Sequence, residues 1–112
     1  KSGLFKVAPS LGIYYYVFNV TAPPFDNPLV RKAFSVVIDR KVIVDTIVHG
    51  GKTPAYAFVP PGLTDEATNQ DFRAEGGNLV AYNVAEAKKL LAEAGYGPNK
   101  PLPPVTILYN TK

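Results

Sequence analysis

A chain of 112 residues can form one domain with a modest core, and its 46% hydrophobic and 19% charged content is typical of globular proteins. The net charge of +3 comes from Lys and Arg residues spread along the chain, which argues against a nucleic-acid partner because no basic stripe is formed. The absence of cysteine excludes a disulfide framework, a thiolate metal site and a thiol nucleophile.

Two segments have the composition of β-strands. Ile13 to Val20 (IYYYVFNV) is β-branched and aromatic and does not alternate with polar residues, so we predict a strand buried on both faces. Val105 to Tyr109 (VTILY) follows a proline-rich lead-in and is predicted as a second strand. Two strands do not make a stable open sheet, so they either pair around the helices or join a sheet from chain that is absent here.

The first predicted helix spans Pro28 to Val37. Asp26 or Asn27 can cap it, and Pro28 suits the first helical turn because its missing N–H is not needed there. Apolar residues then recur at helical spacing and predict one buried face: Leu29, Val30, Ala33, Phe34 and Val37.

A second helix is predicted from Arg40 to Val48. Asp39 is a suitable N-cap, and Gly50-Gly51 stops the run. The many β-branched residues in this segment weaken the prediction of a helix. We still favour a helix because the apolar positions do not alternate as they would in a half-buried strand.

A long loop and a third helix follow. Gly51 to Asn78 is rich in Pro, Gly, Asp, Asn and Thr, which predicts turns. Loops of this length are often functional or packed against a neighbouring lobe. Asn83 and Glu86 form a capping-box-like pair at the start of a helix from Val84 to Ala94, and Gly95 supplies its stop. The predicted order is therefore β-α-α-loop-α-β, an α/β arrangement.

Residues that could carry out catalysis are scarce. His49 is the single histidine, at the end of the second predicted helix, where the helix dipole alone explains an imidazole. With no cysteine and no second histidine, we predict no metal site, no catalytic residues, no cofactor and no enzyme activity.

The tyrosine triplet is the strongest candidate for ligand binding. In a strand, Tyr14 and Tyr16 face one side and Tyr15 the other. A phenol ring offers an apolar body and a hydroxyl, which suits contacts with peptides of varied sequence. The alternative is that the rings simply pack between sheet and helices, and for two of the three this is at least as good an explanation.

Four motifs in order resemble one family: IYYYVFNVTAPPF, FDNPLVRKAFSVVIDR (Phe25 to Arg40), GGKTPAYAFVPP and YNVAEAKKLLAEAGY (Tyr82 to Tyr96). Together they resemble the solute-binding proteins of peptide and nickel ABC importers, family 5, especially the oligopeptide-binding branch. The resemblance runs from Leu4 to Thr111, and members of the family are several times longer. It implies that residues 1–112 are part of the C-terminal lobe of a type II periplasmic-binding-protein-like fold.

The resemblance also implies a function. Family members close two α/β lobes around an extended oligopeptide, hold it by main-chain hydrogen bonds without chemistry, and deliver it to a membrane permease. The expected location is periplasmic or at the cell surface, with the export or lipoprotein signal upstream of this chain. Binders of nickel or a nickel chelate, haem or an oligosaccharide share the scaffold. Outside transport, the alternatives are an enzyme or regulatory module that borrowed the lobe and a stand-alone structural or interaction domain.

The site residues follow from the same resemblance. The residue matching Tyr15 contacts peptide in similar proteins, as does the residue two positions on, which is Val17 here and acidic in the best-known relative. His49 lies near a position where some oligopeptide binders place a basic residue toward the ligand carboxylate, although Val48 aligns better with it. Strand edges left open by missing neighbours also predict self-association of the isolated chain.

Overall fold

The computed structural model describes residues 3–111. These residues contain five helical elements, namely α1 (Pro28–Val36), α2 (Arg40–Val42), the π-helix π1 (Ile43–Val48), α3 (Phe72–Gly76) and α4 (Val84–Glu93). They divide into two compact units. The first unit comprises residues 3–16 and 38–82, and the second comprises residues 17–37 and 83–111.

The two longest helices, α1 and α4, belong to the second unit and confirm the predictions for these segments. Asn27 caps α1 by accepting a 2.9 Å hydrogen bond from the backbone N–H of Leu29. Asn83 caps α4 in the same way, accepting from the N–H of Glu86 at 2.9 Å. Each cap satisfies one of the N–H groups that a helix start leaves without a partner.

The end of α4 forms a Schellman motif. Gly95 takes a φ of 87°, a conformation that glycine adopts without steric cost, and its N–H donates to the carbonyl of Ala92. The N–H of Tyr96 donates to the carbonyl of Leu91 at 2.9 Å. These two bonds satisfy carbonyls at the helix end and confirm Gly95 as the stop signal.

The core of the second unit lies where α1 packs on α4. Its buried members are Ala33 and Val36 from α1 and Ala87 and Leu90 from α4, with the partly buried Leu29 and Leu91 packed against them. The prediction that Val37 lies on the buried face is wrong, because α1 ends at Val36 and Val37 is 44% exposed. Val36 therefore occupies the core position that was assigned to Val37.

In the first unit, the prediction of one α-helix from Arg40 to Val48 is wrong in part, because only Arg40–Val42 is α-helical. Asp39 is the N-cap, as predicted, and accepts from the N–H of Val42 at 3.1 Å. After one α-helical turn the segment Ile43–Val48 is a π-helix, closed by a 3.0 Å bond from the His49 N–H to the Val44 carbonyl. The Thr46 hydroxyl bonds back to the Val42 carbonyl, which competes with regular α-helical bonding in a β-branched segment.

The predicted long loop contains a helix that the sequence prediction missed. Asp71 caps α3, accepting from the N–H of Ala74 at 2.9 Å, and its second carboxylate oxygen accepts from the N–H of Gly62 at 2.6 Å. Thr64 and Asp71 form an isolated antiparallel bridge. One carboxylate thus holds the turn at Gly62 against the start of α3.

Neither predicted strand forms within residues 3–111. Ile13 to Val20 and Val105 to Tyr109 have no regular secondary structure, so the β elements of the predicted β-α-α-loop-α-β order are absent from the described residues. The physical reason is that a strand exists only where a neighbouring backbone pairs with its N–H and C=O groups. Neither segment finds such a neighbour in this part of the chain.

None of the helices in residues 3–111 is long and apolar enough to cross a membrane.

Candidate functional site

The tyrosine triplet is arranged by alternation, as predicted for an extended segment. The rings of Tyr14 and Tyr16 contact each other edge to face, with centroids 5.7 Å apart. The Tyr15 ring instead contacts Phe58, with centroids 5.1 Å apart and planes at 66°. All three rings are exposed, and Tyr15 is the least exposed of them at 55%.

The side of the segment that carries Tyr15 lies against the loop of residues 51–62. A β-carbon added at Gly51 would lie 3.0 Å from Val7 Cγ1, and one added at Gly62 would lie 3.2 Å from Leu11 Cδ2. Both glycines have positive φ, and a β-carbon at either position would lie closer to its neighbour than is usual for a residue with a side chain. Val7, Leu11 and Tyr15, spaced four residues apart, therefore contact the same loop.

This loop is held in place by hydrogen bonds on both sides of Phe58. The carbonyl of Tyr56 accepts from the N–H groups of Leu79 and Val80 at 3.0 and 3.1 Å. The Arg73 guanidinium donates to the carbonyl of Val59 at 3.5 Å and also to the carbonyl of Gly77. The backbone that carries Phe58 is thus fixed to the segment around α3.

A sequence-based prediction did not identify Phe58. Phe58 lies in the predicted long loop and in the motif GGKTPAYAFVPP, which contributes to the family resemblance but contains no predicted site residue. The only signal for a role was an aromatic residue in a proline-bounded loop, which is weak evidence for a binding residue. The contact between Phe58 and Tyr15 can be recognised only in the three-dimensional structure, because 43 positions of sequence separate the two residues.

Tyr14 and Tyr16 interact through their hydroxyls as well as their rings. A side-chain hydrogen bond with Tyr14, the largest cause, and the charge repulsion between the two phenolates raise the pKa of the Tyr16 hydroxyl above its ordinary value. Tyr16 is therefore a neutral phenol at any physiological pH. The Tyr16 hydroxyl can exchange hydrogen bonds with a ligand as a neutral group.

The other two candidates are placed separately. Val17 belongs to the second unit and is exposed. His49 lies in the first unit just after π1, with φ 55° and ψ −164°, a backbone conformation that residues other than glycine rarely adopt. Its imidazole is exposed, and among the described residues it takes part in no ion pair and no side-chain hydrogen bond.

Metal-binding clusters are absent from the described part of the chain. No three His, Asp or Glu side chains within residues 3–111 gather closely enough to hold a metal ion. Among the exposed side chains of the first unit, the rings of Tyr14, Tyr15, Tyr16 and Phe58 lie in contact with one another in two pairs. Such an arrangement can bind a ligand by ring contacts and neutral hydrogen bonds.

Comparison with known proteins identifies the family. The family described as bacterial extracellular solute-binding proteins, family 5 Middle, matches residues 1–112, and the chain belongs to this family. The chain is 39% identical over 108 residues to the dipeptide-binding protein DppE of Bacillus subtilis, covering 96% of this chain and 20% of that protein. It is 44% identical over 105 residues to the periplasmic oligopeptide-binding protein OppA of Escherichia coli, covering 94% of this chain and 19% of that protein.

A third relative has a related ligand. The chain is 42% identical over 103 residues to the periplasmic murein peptide-binding protein MppA of Escherichia coli, covering 92% of this chain and 19% of that protein. The chain therefore spans about a fifth of the length of the curated relatives that it matches. Membership of the family implies its type II periplasmic-binding-protein-like fold, of which the described residues form the helical units above.

Proposed function

We propose that this chain is part of the substrate-binding component of a peptide ABC importer. In this proposal the whole protein captures an extended oligopeptide between two lobes, and residues 1–112 form part of the C-terminal lobe. The observation that carries the proposal is the similarity over more than nine-tenths of the chain to relatives whose names specify dipeptides, oligopeptides or murein peptides.

The proposed partners and location follow from the same relatives. We propose that the peptide-loaded protein delivers its ligand to a membrane permease. We also propose that it works in the periplasm or at the cell surface, since the names of the relatives and of the family describe those proteins as periplasmic or extracellular. It binds its ligand without altering it. The exposed rings of Tyr14, Tyr15, Tyr16 and Phe58 support this assignment, because binding a ligand without altering it requires contact area and hydrogen bonding.

Exposed apolar residues support the proposal that more chain packs on these units. Leu108 is 91% exposed, and the neighbouring Ile107 and Tyr109 are also exposed. Soluble proteins rarely expose contiguous apolar surface of this kind unless something covers it. We propose that the remainder of the lobe covers it, with the segments Ile13 to Val20 and Val105 to Tyr109 pairing into its sheet, and that the isolated chain associates with itself through them.

The proposed ligand contacts are Tyr15 foremost, then Tyr14, Tyr16, Val17 and His49. Tyr15 is the candidate with a defined position, because its ring is set against Phe58. The rings of Tyr14 and Tyr16 contact each other and not Phe58, which supports a separate role for this pair in the proposed site. Val17 offers an apolar side chain and no charge. His49 offers an imidazole that could contact a ligand carboxylate.

The test is calorimetric titration of the full-length protein with peptides of two to five residues, and separately with nickel, haem and an oligosaccharide. The proposal predicts a Kd of micromolar or below for one class of peptide, and at least tenfold weaker binding after Tyr15→Ala. Tight binding of nickel, haem or the oligosaccharide with no binding of peptides would contradict the peptide assignment while leaving the solute-binding family intact.

A further inference from the structure

Phe58 and Tyr15 form a pair of exposed rings in the first unit, here called the aromatic platform. Within the described residues Phe58 is 61% exposed and Tyr15 is 55% exposed, so each ring keeps accessible surface beyond the contact between them. Edge-to-face contact at 5.1 Å is a favourable arrangement for two aromatic rings.

The platform is presented by a fixed backbone. Phe58 lies between two residues whose carbonyls accept hydrogen bonds from outside the loop, Tyr56 from Leu79 and Val80, and Val59 from Arg73. On the other side, the Tyr15 segment is set against the same loop through the close approach of Leu11 to Gly62. A surface whose parts are held in this way loses little conformational freedom when a ligand binds.

The chemistry of the platform selects among ligand side chains. Neither ring carries a formal charge, and each offers a broad apolar face. An aromatic or bulky aliphatic side chain gains from burial against such a face. An acidic side chain loses hydration against such a face, and neither ring supplies a counterion.

From this geometry we infer that Phe58, together with Tyr15, is a specificity-determining residue that favours peptides with an aromatic or bulky aliphatic side chain. The inference rests on the proposed function and deepens it by naming the ligand class. The occupant is a peptide side chain, because Tyr15 is the proposed peptide contact and the relatives that match the chain bind peptides. The alternative, in which the remainder of the folded protein covers the platform, is distinguished by the experiment below.

The experiment measures Kd by calorimetry for the full-length protein and its variants against two peptide sets. One set is alanine-based, and the other carries a single Phe or Leu scanned through each position. Phe58→Ala should weaken binding of the best Phe-containing peptide about tenfold, the magnitude of one aromatic contact, and change binding of the alanine peptide less than twofold. Phe58→Leu keeps the apolar volume in case the alanine variant does not fold, and should weaken the same Phe peptide about threefold.

Phe5→Ala is the matched control, since Phe5 is an exposed phenylalanine of the same unit that forms no ring pair within the described residues. It should leave both peptide sets unchanged. Equal weakening of all peptides by the Phe58 variants, or a lowered Tm with unchanged selectivity, would show that the rest of the protein covers the platform and would overturn the inference. Absence of any peptide binding by the unsubstituted protein would instead overturn the proposed function itself.

Discussion

The backbone N–H of Asn83 donates a 2.8 Å hydrogen bond to the carbonyl of Val36. This bond joins the N-cap residue of α4 to the last residue of α1, two elements separated by 47 residues of sequence. Asn83 uses its side chain for α4 and its backbone for α1, so it fixes both the start of one helix and its docking on the other.

Replacing Asn83 therefore has a defined cost. Asn83→Ala removes the side-chain acceptor for the Glu86 N–H but keeps the backbone bond to Val36. We expect the free energy of unfolding to fall by about 1 kcal/mol, measured by urea denaturation of the chain. Asn78→Ala is the control, because Asn78 is exposed and makes no side-chain hydrogen bond within residues 3–111. An equal effect of the two substitutions would contradict the capping role.

We expect substitutions of two leucines, one inside and one outside the core between α1 and α4, to differ in their effect on stability. Leu90 is 7% exposed and packs in the core, whereas Leu108 is almost fully exposed. Leu90→Ala should destabilise the chain by about 2–4 kcal/mol, and Leu108→Ala by less than about 0.5 kcal/mol. In the full-length protein we expect the cost of Leu108→Ala to rise above about 2 kcal/mol, since we propose that the remainder of the lobe buries it. An unchanged cost there would contradict the proposed covering.

Replacing His49 by glycine should stabilise the chain, because the backbone at this position is strained. The φ of 55° with ψ −164° is strained for a residue with a β-carbon, at a cost of about 1–3 kcal/mol. Glycine relieves this strain but adds about 0.5–1 kcal/mol of unfolded-state freedom. We expect His49→Gly to raise the free energy of unfolding by about 1 kcal/mol, whereas the control His49→Ala keeps the strain and should change it little. A destabilised glycine variant would show that the imidazole itself holds the turn.

Asp71 gives a pH prediction. Hydrogen bonds from the N–H groups of Gly62, the largest cause, and of Ala74 hold the pKa of the Asp71 carboxyl below its ordinary value. A carboxyl whose pKa is lower in the folded state stabilises that state above its unfolded pKa of about 3.9, and this contribution is lost as the pH falls through the folded pKa. An NMR titration should give a midpoint for Asp71 below that of an ordinary aspartate.

The matched variant is Asp71→Asn, which keeps one carbonyl acceptor but cannot titrate. Its unfolding free energy should depend less on pH below about pH 4 than that of the unsubstituted chain. Identical pH dependence of the two proteins would mean that the two backbone hydrogen bonds do not favour the ionised carboxyl, and that the turn at Gly62 is held by other contacts.

Much of the helical structure was predictable because its signals are local. The caps at Asn27, Asp39 and Asn83 and the stop at Gly95 act within four residues of each helix end, so residue type and position suffice to find them. The π-helix was not predictable at that level. It depends on how one β-branched segment resolves the competition between the Thr46 hydroxyl and the backbone for the Val42 carbonyl.

The strands and the ring partner of Tyr15 could not be predicted in this way, because both depend on residues distant in sequence. A strand depends on a neighbour that the local sequence does not specify, and Ile13 to Val20 finds none within residues 3–111. Alternation along this segment was predictable, and the contact between Tyr14 and Tyr16 agrees with it. Phe58 was not predictable, since its role arises from a loop fixed by Arg73 and by the segment after α3.

We propose that these residues form one wall of a binding site whose other wall lies elsewhere in the protein. A single wall leaves much of a peptide in water, whereas a binding cleft typically buries about 70–90% of its ligand. Because ordering a flexible peptide costs free energy in either case, the isolated chain should bind with millimolar affinity at best, about −4 kcal/mol.

The most direct measurement is calorimetric titration of one mixed peptide library onto the 112-residue chain and onto the full-length protein under the same conditions. We predict micromolar or tighter binding by the full-length protein and millimolar or undetectable binding by the isolated chain. Micromolar binding by the isolated chain alone would contradict the account, because the whole site would then lie within these residues.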